Sequence, residues 1–110
     1  MAIRYYDDPP DIEVLFQFNN QRRFPTRDGY RPAHLVLPDC LTTGVHHYYD
    51  VDSVMPYEIV RGTITFIRPD DYPNTMYIGK KIPIQEGERI VGYATVTKIL
   101  NPALQARETP

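Results

Sequence analysis

The chain has 110 residues, a length typical of a single domain that buries its own core without disulfides or metals. Hydrophobic residues make up 42% and charged residues 24%, which is the balance of a globular protein and excludes wholesale disorder. The formal net charge of −2 argues against a strong non-specific nucleic-acid binder, but it leaves room for a local basic patch.

Eleven Pro and six Gly are spread along the chain and cut it into segments of strand length. These segments are rich in β-branched and aromatic residues, and apolar residues at helical spacing are hard to find. In residues 11–18, every even position from Ile12 to Phe18 is apolar, which predicts a strand with one buried face. Six strands are predicted, at residues 11–18, 30–37, 41–49, 59–68, 75–84 and 89–100.

Turn signals separate the predicted strands. Asp28-Gly29 precedes the second strand, residues 69–74 form a turn-rich connector, and residues 85–88 form a tight turn. With no amphipathic helix to cover one face, a sheet of six antiparallel strands has to close or fold on itself, and a small barrel is the most economical solution. We therefore predict an all-β fold, a small six-stranded antiparallel closed β-barrel at residues 11–101. Residues 1–10 are expected to be an N-terminal extension and residues 102–110 a flexible tail.

The sequence also predicts the cellular setting. Cys40 is the only cysteine and cannot form an internal disulfide, and the first ten residues lack the basic start and apolar run of a secretory signal. No apolar run approaches the roughly 20 residues that a membrane-spanning helix needs. We expect a cytoplasmic protein that does not contact a membrane.

Few residues suggest catalysis or a cofactor. Asn74 stands where a phosphate-binding loop ending at Gly79-Lys80 requires its first glycine, so the chain by itself is not expected to bind a nucleotide. His46 and His47 are adjacent on a predicted strand and face opposite sides, which disfavours a shared metal ion. Cys40 is more typical of a small buried apolar residue than of a catalytic thiol. We predict no enzyme activity, no cofactor and no metal.

Two groups of residues leave alternatives open. The basic residues of the loops and strand ends form either a patch for phosphate or carboxylate groups or a solvated rim; they are Arg22, Arg23, Arg27, Arg31, Arg68, Lys80 and Lys81. Six tyrosines either anchor an interaction surface or fill the barrel with their hydroxyls in water; they are Tyr48, Tyr49, Tyr57, Tyr72, Tyr77 and Tyr93. Nine tyrosines and no tryptophan favour an interaction surface, with Tyr48 and Tyr57 as candidate exposed positions.

Five short motifs occur in a recognisable order. They are Gly29-Tyr30-Arg31-Pro32, Leu41-Thr42-Thr43-Gly44, Val54-Met55-Pro56, the segment from Thr63 to Pro69, and the segment from Ile84 to Gly92 with its continuation from Val96 to Leu100. In this order and spacing, residues 11–101 resemble the C-terminal (third) domain of bacterial elongation factor Tu. No single motif is specific, but the five together are.

The resemblance implies a six-stranded antiparallel barrel and a set of contacts. In that family the barrel contacts the T-arm backbone of aminoacyl-tRNA, packs on a GTPase domain and meets the nucleotide-exchange factor. The T-arm positions correspond to Arg22, Arg23, Thr43, Arg68 and Gly87 of this chain. The implied function is a non-catalytic binding module for tRNA or another structured RNA, or for a protein that recognises elongation factor Tu.

Departures from the family pattern favour an alternative. The V-M-P-G-D turn of the family is Val54-Met55-Pro56-Tyr57-Glu58 here, and Gln85-Glu86-Gly87-Glu88 adds negative charge beside the implied RNA face. The described motifs cover neither the GTPase domain nor the second barrel of the family. The alternative is a stand-alone protein-interaction domain, of an immunity, inhibitor or decoy type, with no role in RNA binding.

Overall fold

The computed structural model describes residues 8–21 and 25–107. Eight strands are formed: β1 (Ile12–Phe18), β2 (Thr26–Arg27), β3 (Ala33–Leu37), β4 (Cys40–Tyr48), β5 (Ser53–Val54), β6 (Ile59–Phe66), β7 (Lys81–Glu86) and β8 (Arg89–Ile99). Two short 3₁₀ helices follow β6 and β8, at Pro69–Asp71 and Pro102–Leu104. Within the described residues, no helix has the length and apolar character needed to cross a membrane.

Six of the strands close into a barrel in the order β1-β6-β4-β3-β7-β8, and all neighbours are antiparallel. The predicted all-β, six-stranded closed antiparallel barrel is therefore confirmed. The sequence analysis did not predict the small two-stranded sheet formed by β2 and β5, which lies outside the barrel order.

The even positions of β1 face the barrel interior, as the alternation predicted. Ile12, Val14 and Phe16 are fully buried there, while Gln17 is exposed. Phe18 of β1 and side chains from the other five strands complete one core, and the largest fully buried side chains of those five strands include Tyr48, Phe66, Ile64, Ile82 and Ile84. A closed sheet of this size is filled by its own inward side chains, so the interior is a packed core and not a channel.

The predicted fifth strand was placed too early. Residues 75–80 form turns and an isolated bridge, and the strand begins at Lys81. Gly79 has φ +91°, a left-handed conformation that a regular β-strand does not contain, so β7 begins only after it. The following turn is correspondingly shorter than predicted, because Glu86 pairs with Arg89 and only Gly87 and Glu88 lie between them.

The chain after β8 is packed over its described part, where the sequence analysis expected a frayed end. Leu104 is fully buried, and its carbonyl oxygen accepts a hydrogen bond from the Met76 amide at 2.7 Å. The Ala106 amide in turn donates to the Met76 carbonyl at 2.7 Å. Residues 102–107 therefore lie against the connector between β6 and β7, and residues 108–110 of the predicted tail lie outside the described residues.

Candidate functional site

The structure brings together two of the predicted contact residues, Thr43 and Arg68. Thr43 is half-buried on β4, on the opposite face from the core residue His46. The Ile67 amide donates to the Thr43 carbonyl oxygen at 3.0 Å, which places Arg68 one residue away from this contact. Arg22 and Arg23, the other two predicted basic contacts, lie outside the described residues.

Gly87 lies apart from this pair. Thr43 pairs with Ala33 on β3, and Ala33 pairs with Gln85 on β7, so two strand spacings of about 4.8 Å each separate Thr43 from the strand that leads to Gly87. Gly87 itself has φ +61° in the β7–β8 turn, which explains the glycine there. Tyr30, which precedes the exposed Arg31 in the chain, donates from its hydroxyl to the Glu86 carboxylate beside that turn.

Carboxylates form ion pairs with three exposed arginines. Arg68 Nε lies 3.2 Å from Asp71 Oδ2, Arg61 Nη2 lies 3.2 Å from Glu13 Oε1, and Arg89 Nη2 lies 3.7 Å from Glu86 Oε1. All three arginine side chains are more than half exposed, so each pair contributes little to stability. Each pair does reduce the positive potential that a phosphate would meet.

The ammonium groups of Lys80 and Lys81 both have contacts within the protein. The Lys80 ammonium donates to the carbonyl oxygens of Val36 and Thr75, both at 2.6 Å, and partial burial lowers the pKa of this lysine. The Lys81 ammonium lies 4.5 Å from the centre of the Tyr93 ring, within cation–π distance. Lys80 is thus a structural tie between β3 and the connector, whereas Lys81 is exposed on the outer face of β7.

Of the two tyrosines singled out as exposed, Tyr48 is buried and Tyr57 is exposed. Tyr48 is 2% exposed and packs edge-on against Phe16, with ring centroids 5.1 Å apart. Its assignment to an interaction surface was wrong, because its even position on β4 faces the core. Tyr57 is 61% exposed at the turn before β6.

Tyr57 belongs to an exposed apolar surface that we call the Tyr57 patch, made of Met55, Tyr57 and Ile59. Met55 is 50% and Ile59 65% exposed. The patch continues into a groove of about 190 Å³ on the outer face of the barrel, across β6, β1, β8 and β7. The groove is lined by Leu15, Phe16, Gln17, Ile59, Lys81, Tyr93 and Thr95.

The backbone holds Tyr57 in an unfavourable conformation. Its φ is +70°, in the left-handed region that costs a non-glycine residue about 1–2 kcal/mol. Two hydrogen bonds to β1 fix it there. The Tyr57 amide donates to the Phe18 carbonyl oxygen at 2.7 Å, and Gln17 Nε2 donates to the Tyr57 carbonyl oxygen at 3.0 Å. The Glu58 carboxylate accepts from the Met55 amide at 2.7 Å and closes the turn. The fold therefore keeps a strained, exposed tyrosine in a rigid position.

A chain of hydrogen bonds between buried side chains crosses the barrel interior. His34 Nδ1 lies 3.1 Å from the Thr42 carbonyl oxygen, the Nε2 atoms of His34 and His46 lie 2.7 Å apart, and His46 Nδ1 lies 3.0 Å from the Tyr48 hydroxyl. Both histidines are fully buried. Burial lowers the pKa of His34 to about 4 and that of His46 well below its ordinary value, and the neighbouring His34 lowers the latter further.

The adjacent histidines of β4 do face opposite sides, as the sequence predicted. His46 points into the core, while His47 lies outside with Nδ1 3.0 Å from the Asp28 carboxylate. The pairing of His46 with His34, twelve residues earlier in the chain, was not predicted. Over residues 8–21 and 25–107, no cluster of three or more His, Cys, Asp or Glu side chains could hold a metal ion.

The sequence analysis missed Met55 and Ile59 as surface residues, because both belong to segments that also contain core residues. Tyr57 could have indicated that its neighbours are exposed, because it is a bulky residue in a turn where glycine is expected. A scan against protein-family models finds none that matches the chain.

Proposed function

We propose that this protein is a non-catalytic binding module that docks a protein partner through the Tyr57 patch and the adjoining groove. The observation that carries the proposal is the left-handed, exposed Tyr57. Backbone strain at a rigid surface position is typical of functional sites, since strain without a function is readily removed by substitution. Tyrosine and methionine are also residues that interfaces favour.

The proposal gives a reason for the departure from the family pattern. We infer that the barrel is related to the third domain of elongation factor Tu, in which glycine occupies the position of Tyr57. Glycine adopts φ +70° without strain, so the turn with glycine forms without the backbone strain that tyrosine brings. The replacement adds a large exposed aromatic side chain at a cost to stability, which supports a contact surface that differs from the family's own.

A site-specific photocrosslinker tests this function. We would place p-benzoylphenylalanine at position 57 in the full chain and irradiate it in extract of the cells that carry the gene. The matched control has the same crosslinker at Leu41, which is 48% exposed and lies near the start of β4, at the opposite end of the barrel from Ile59. We expect an adduct from position 57 that protease removes and ribonuclease does not, and no such adduct from position 41.

Equal crosslinking from the two positions would refute the patch as the contact surface. A position-57 adduct that ribonuclease removes would mean that the patch contacts RNA. Absence of any adduct from position 57 over repeated extracts would also contradict the proposal, because the side chain is more than half exposed and held in place.

Contact with structured RNA is a second candidate function, favoured by the position of Arg68 next to Ile67, whose amide donates to the Thr43 carbonyl oxygen. A tRNA bound there would depend steeply on salt, because phosphate contacts release counterions. Asp71→Ala removes the carboxylate that holds Arg68 and should tighten tRNA binding, whereas Arg68→Ala should weaken it and flatten the salt dependence. Absence of tRNA binding by both the natural chain and Asp71→Ala at low salt would exclude this function.

A further inference from the structure

We propose that the His34–His46 pair is an acid-sensitive switch in the barrel core: the closed barrel is most stable while both imidazoles are neutral, and acidification shifts the equilibrium towards the cooperatively unfolded state. The inference rests on the geometry of the buried chain and is independent of the surface proposed above.

The Thr42 carbonyl decides which nitrogen carries each hydrogen. A carbonyl oxygen can only accept, so His34 Nδ1 carries a hydrogen and donates. In a neutral imidazole, His34 Nε2 is then an acceptor, and His46 Nε2 must donate to it across 2.7 Å. His46 Nδ1 is left as an acceptor and receives the Tyr48 hydroxyl hydrogen. Every buried nitrogen is satisfied, and only one arrangement of hydrogens does this.

A proton added to either ring disrupts the arrangement. On His34 it occupies Nε2 and faces the N–H of His46, so that two donors meet at 2.7 Å. On His46 it occupies Nδ1, where the Tyr48 oxygen can accept only if its own hydrogen turns to another acceptor. In both cases a positive charge is placed in a fully buried site.

Few groups around the pair could compensate that charge. The side chains that pack against the two rings come from β1, β4, β6, β7 and the turn before β3; they are Phe16, Phe18, Tyr48, Ile64, Phe66, Ile84 and Tyr30. Among these, only the tyrosines Tyr30 and Tyr48 titrate. Two carboxylates lie one step further out: Glu86 accepts from the Tyr30 hydroxyl, and Asp28 accepts from the Tyr48 amide.

The sign of the pH dependence follows from the lowered pKa of both histidines. Unfolded histidine takes up a proton near pH 6.5, while the folded state stays neutral down to about pH 4 at His34. The stabilising contribution is therefore complete above about pH 6.5 and is lost as the pH falls below it. For two such groups, the unfolding equilibrium constant should rise roughly 100-fold between about pH 7.5 and about pH 5.5.

Equilibrium urea unfolding at a series of pH values tests the switch. This pH window lies above the usual titration range of Asp and Glu, with pKa values of about 3.9 and 4.3, so carboxylates contribute little. His34→Gln and His46→Gln each remove one titrating group and should reduce the rise to about 10-fold. His47→Gln removes the third and last histidine of the sequence, which lies outside the core, and should retain the rise of about 100-fold.

A rise below about 3-fold in the natural chain, or an equal rise in the natural chain and both core variants, would overturn the proposal. If neither core variant folds, nitrogen NMR of the imidazoles in the natural chain decides at about pH 6. The proposal expects hydrogen on Nδ1 of His34 and on Nε2 of His46, with both rings neutral. A charged ring, or a hydrogen on Nε2 of His34, contradicts it.

Discussion

The buried carboxylate of Asp11 joins three parts of the barrel and makes a hydrogen bond to the side chain of Asn101, ninety residues later. Asp11 Oδ1 accepts from Asn101 Nδ2 at 2.9 Å, and Oδ2 accepts from the Phe66 amide at 2.8 Å. The Asp11 carbonyl oxygen also accepts from the amides of Leu100 and Asn101, at 2.9 and 3.0 Å. The start of β1 is thus tied to the ends of β6 and β8, where the barrel closes.

Replacing Asp11 should therefore cost much more than replacing an exposed aspartate. Asp11→Ala leaves the buried Phe66 amide without its acceptor, and we expect the free energy of unfolding at neutral pH to fall by about 3 kcal/mol. Asp70→Ala, at an exposed position of the first 3₁₀ helix, should change it by less than about 0.5 kcal/mol. Urea unfolding followed by circular dichroism measures both. Similar losses for the two variants would mean that Asp11 does not hold the closure.

Tyr57 should show opposite effects on stability and on binding. Tyr57→Gly relieves the left-handed strain and should raise the free energy of unfolding by about 1 kcal/mol. Tyr57→Ala removes the same exposed ring and keeps the strain, so it should not be stabilising. Both variants should lose binding to the protein partner. Unfolding curves of the three proteins, combined with one binding assay, separate the backbone effect from the side-chain effect, and a Gly variant no more stable than the Ala variant would rule out the strain.

Gly62 should tolerate no side chain, because β4 and β6 approach closely there. A Cβ atom at Gly62 would collide with the His47 carbonyl oxygen and lie 2.8 Å from Phe16 Cε2. We expect Gly62→Ala to lower the free energy of unfolding by about 3 kcal/mol or more. Gly79→Ala meets no atom within 4 Å and is opposed only by its φ of +91°, so its cost should be about 1–2 kcal/mol. Thermal unfolding of the two variants provides the comparison.

The segment after β8 should behave as part of the folded unit. Leu104→Ala removes a fully buried side chain, and we expect a loss of about 2–3 kcal/mol if the segment unfolds together with the barrel. If the segment instead detaches locally, the global loss will be smaller, and hydrogen exchange at the Met76 amide, which donates to Leu104, will accelerate. Gln105→Ala, at an exposed position, is the control and should change neither quantity. Unchanged stability together with unchanged exchange in Leu104→Ala would show that the segment is not held by Leu104.

Sequence alternation was sufficient to predict the strands that have one face in the core. Along β1 the side chains alternate between core and surface with a period of two, and this period is a local property of extended backbone. Sequence alternation was insufficient where a turn depends on a single glycine. At Gly79 the left-handed conformation makes β7 begin at Lys81, and one such residue produces no periodic pattern in the sequence.

Whether the predicted contact residues form one site depended on strand order. Thr43 and Arg68 are neighbours because β4 pairs with β6, and Gly87 is separated from them because β3 and β7 lie between. These relationships join residues far apart in the chain, so local sequence could not supply them. The same holds for the ion pair between Arg61 and Glu13, which joins β6 to β1.

The sequence by itself determined the all-β class of the fold, since breakers at strand spacing and the absence of helical periodicity indicate a sheet that must close or fold on itself. It also indicated that His46 and His47 face opposite sides. Only the tertiary structure decided that Tyr48 is buried, that Tyr57 forms an exposed patch with Met55 and Ile59, and that His46 meets His34. The physical reason is that burial and hydrogen-bond partners in a barrel depend on strand order and stagger, which bring together residues from distant parts of the chain.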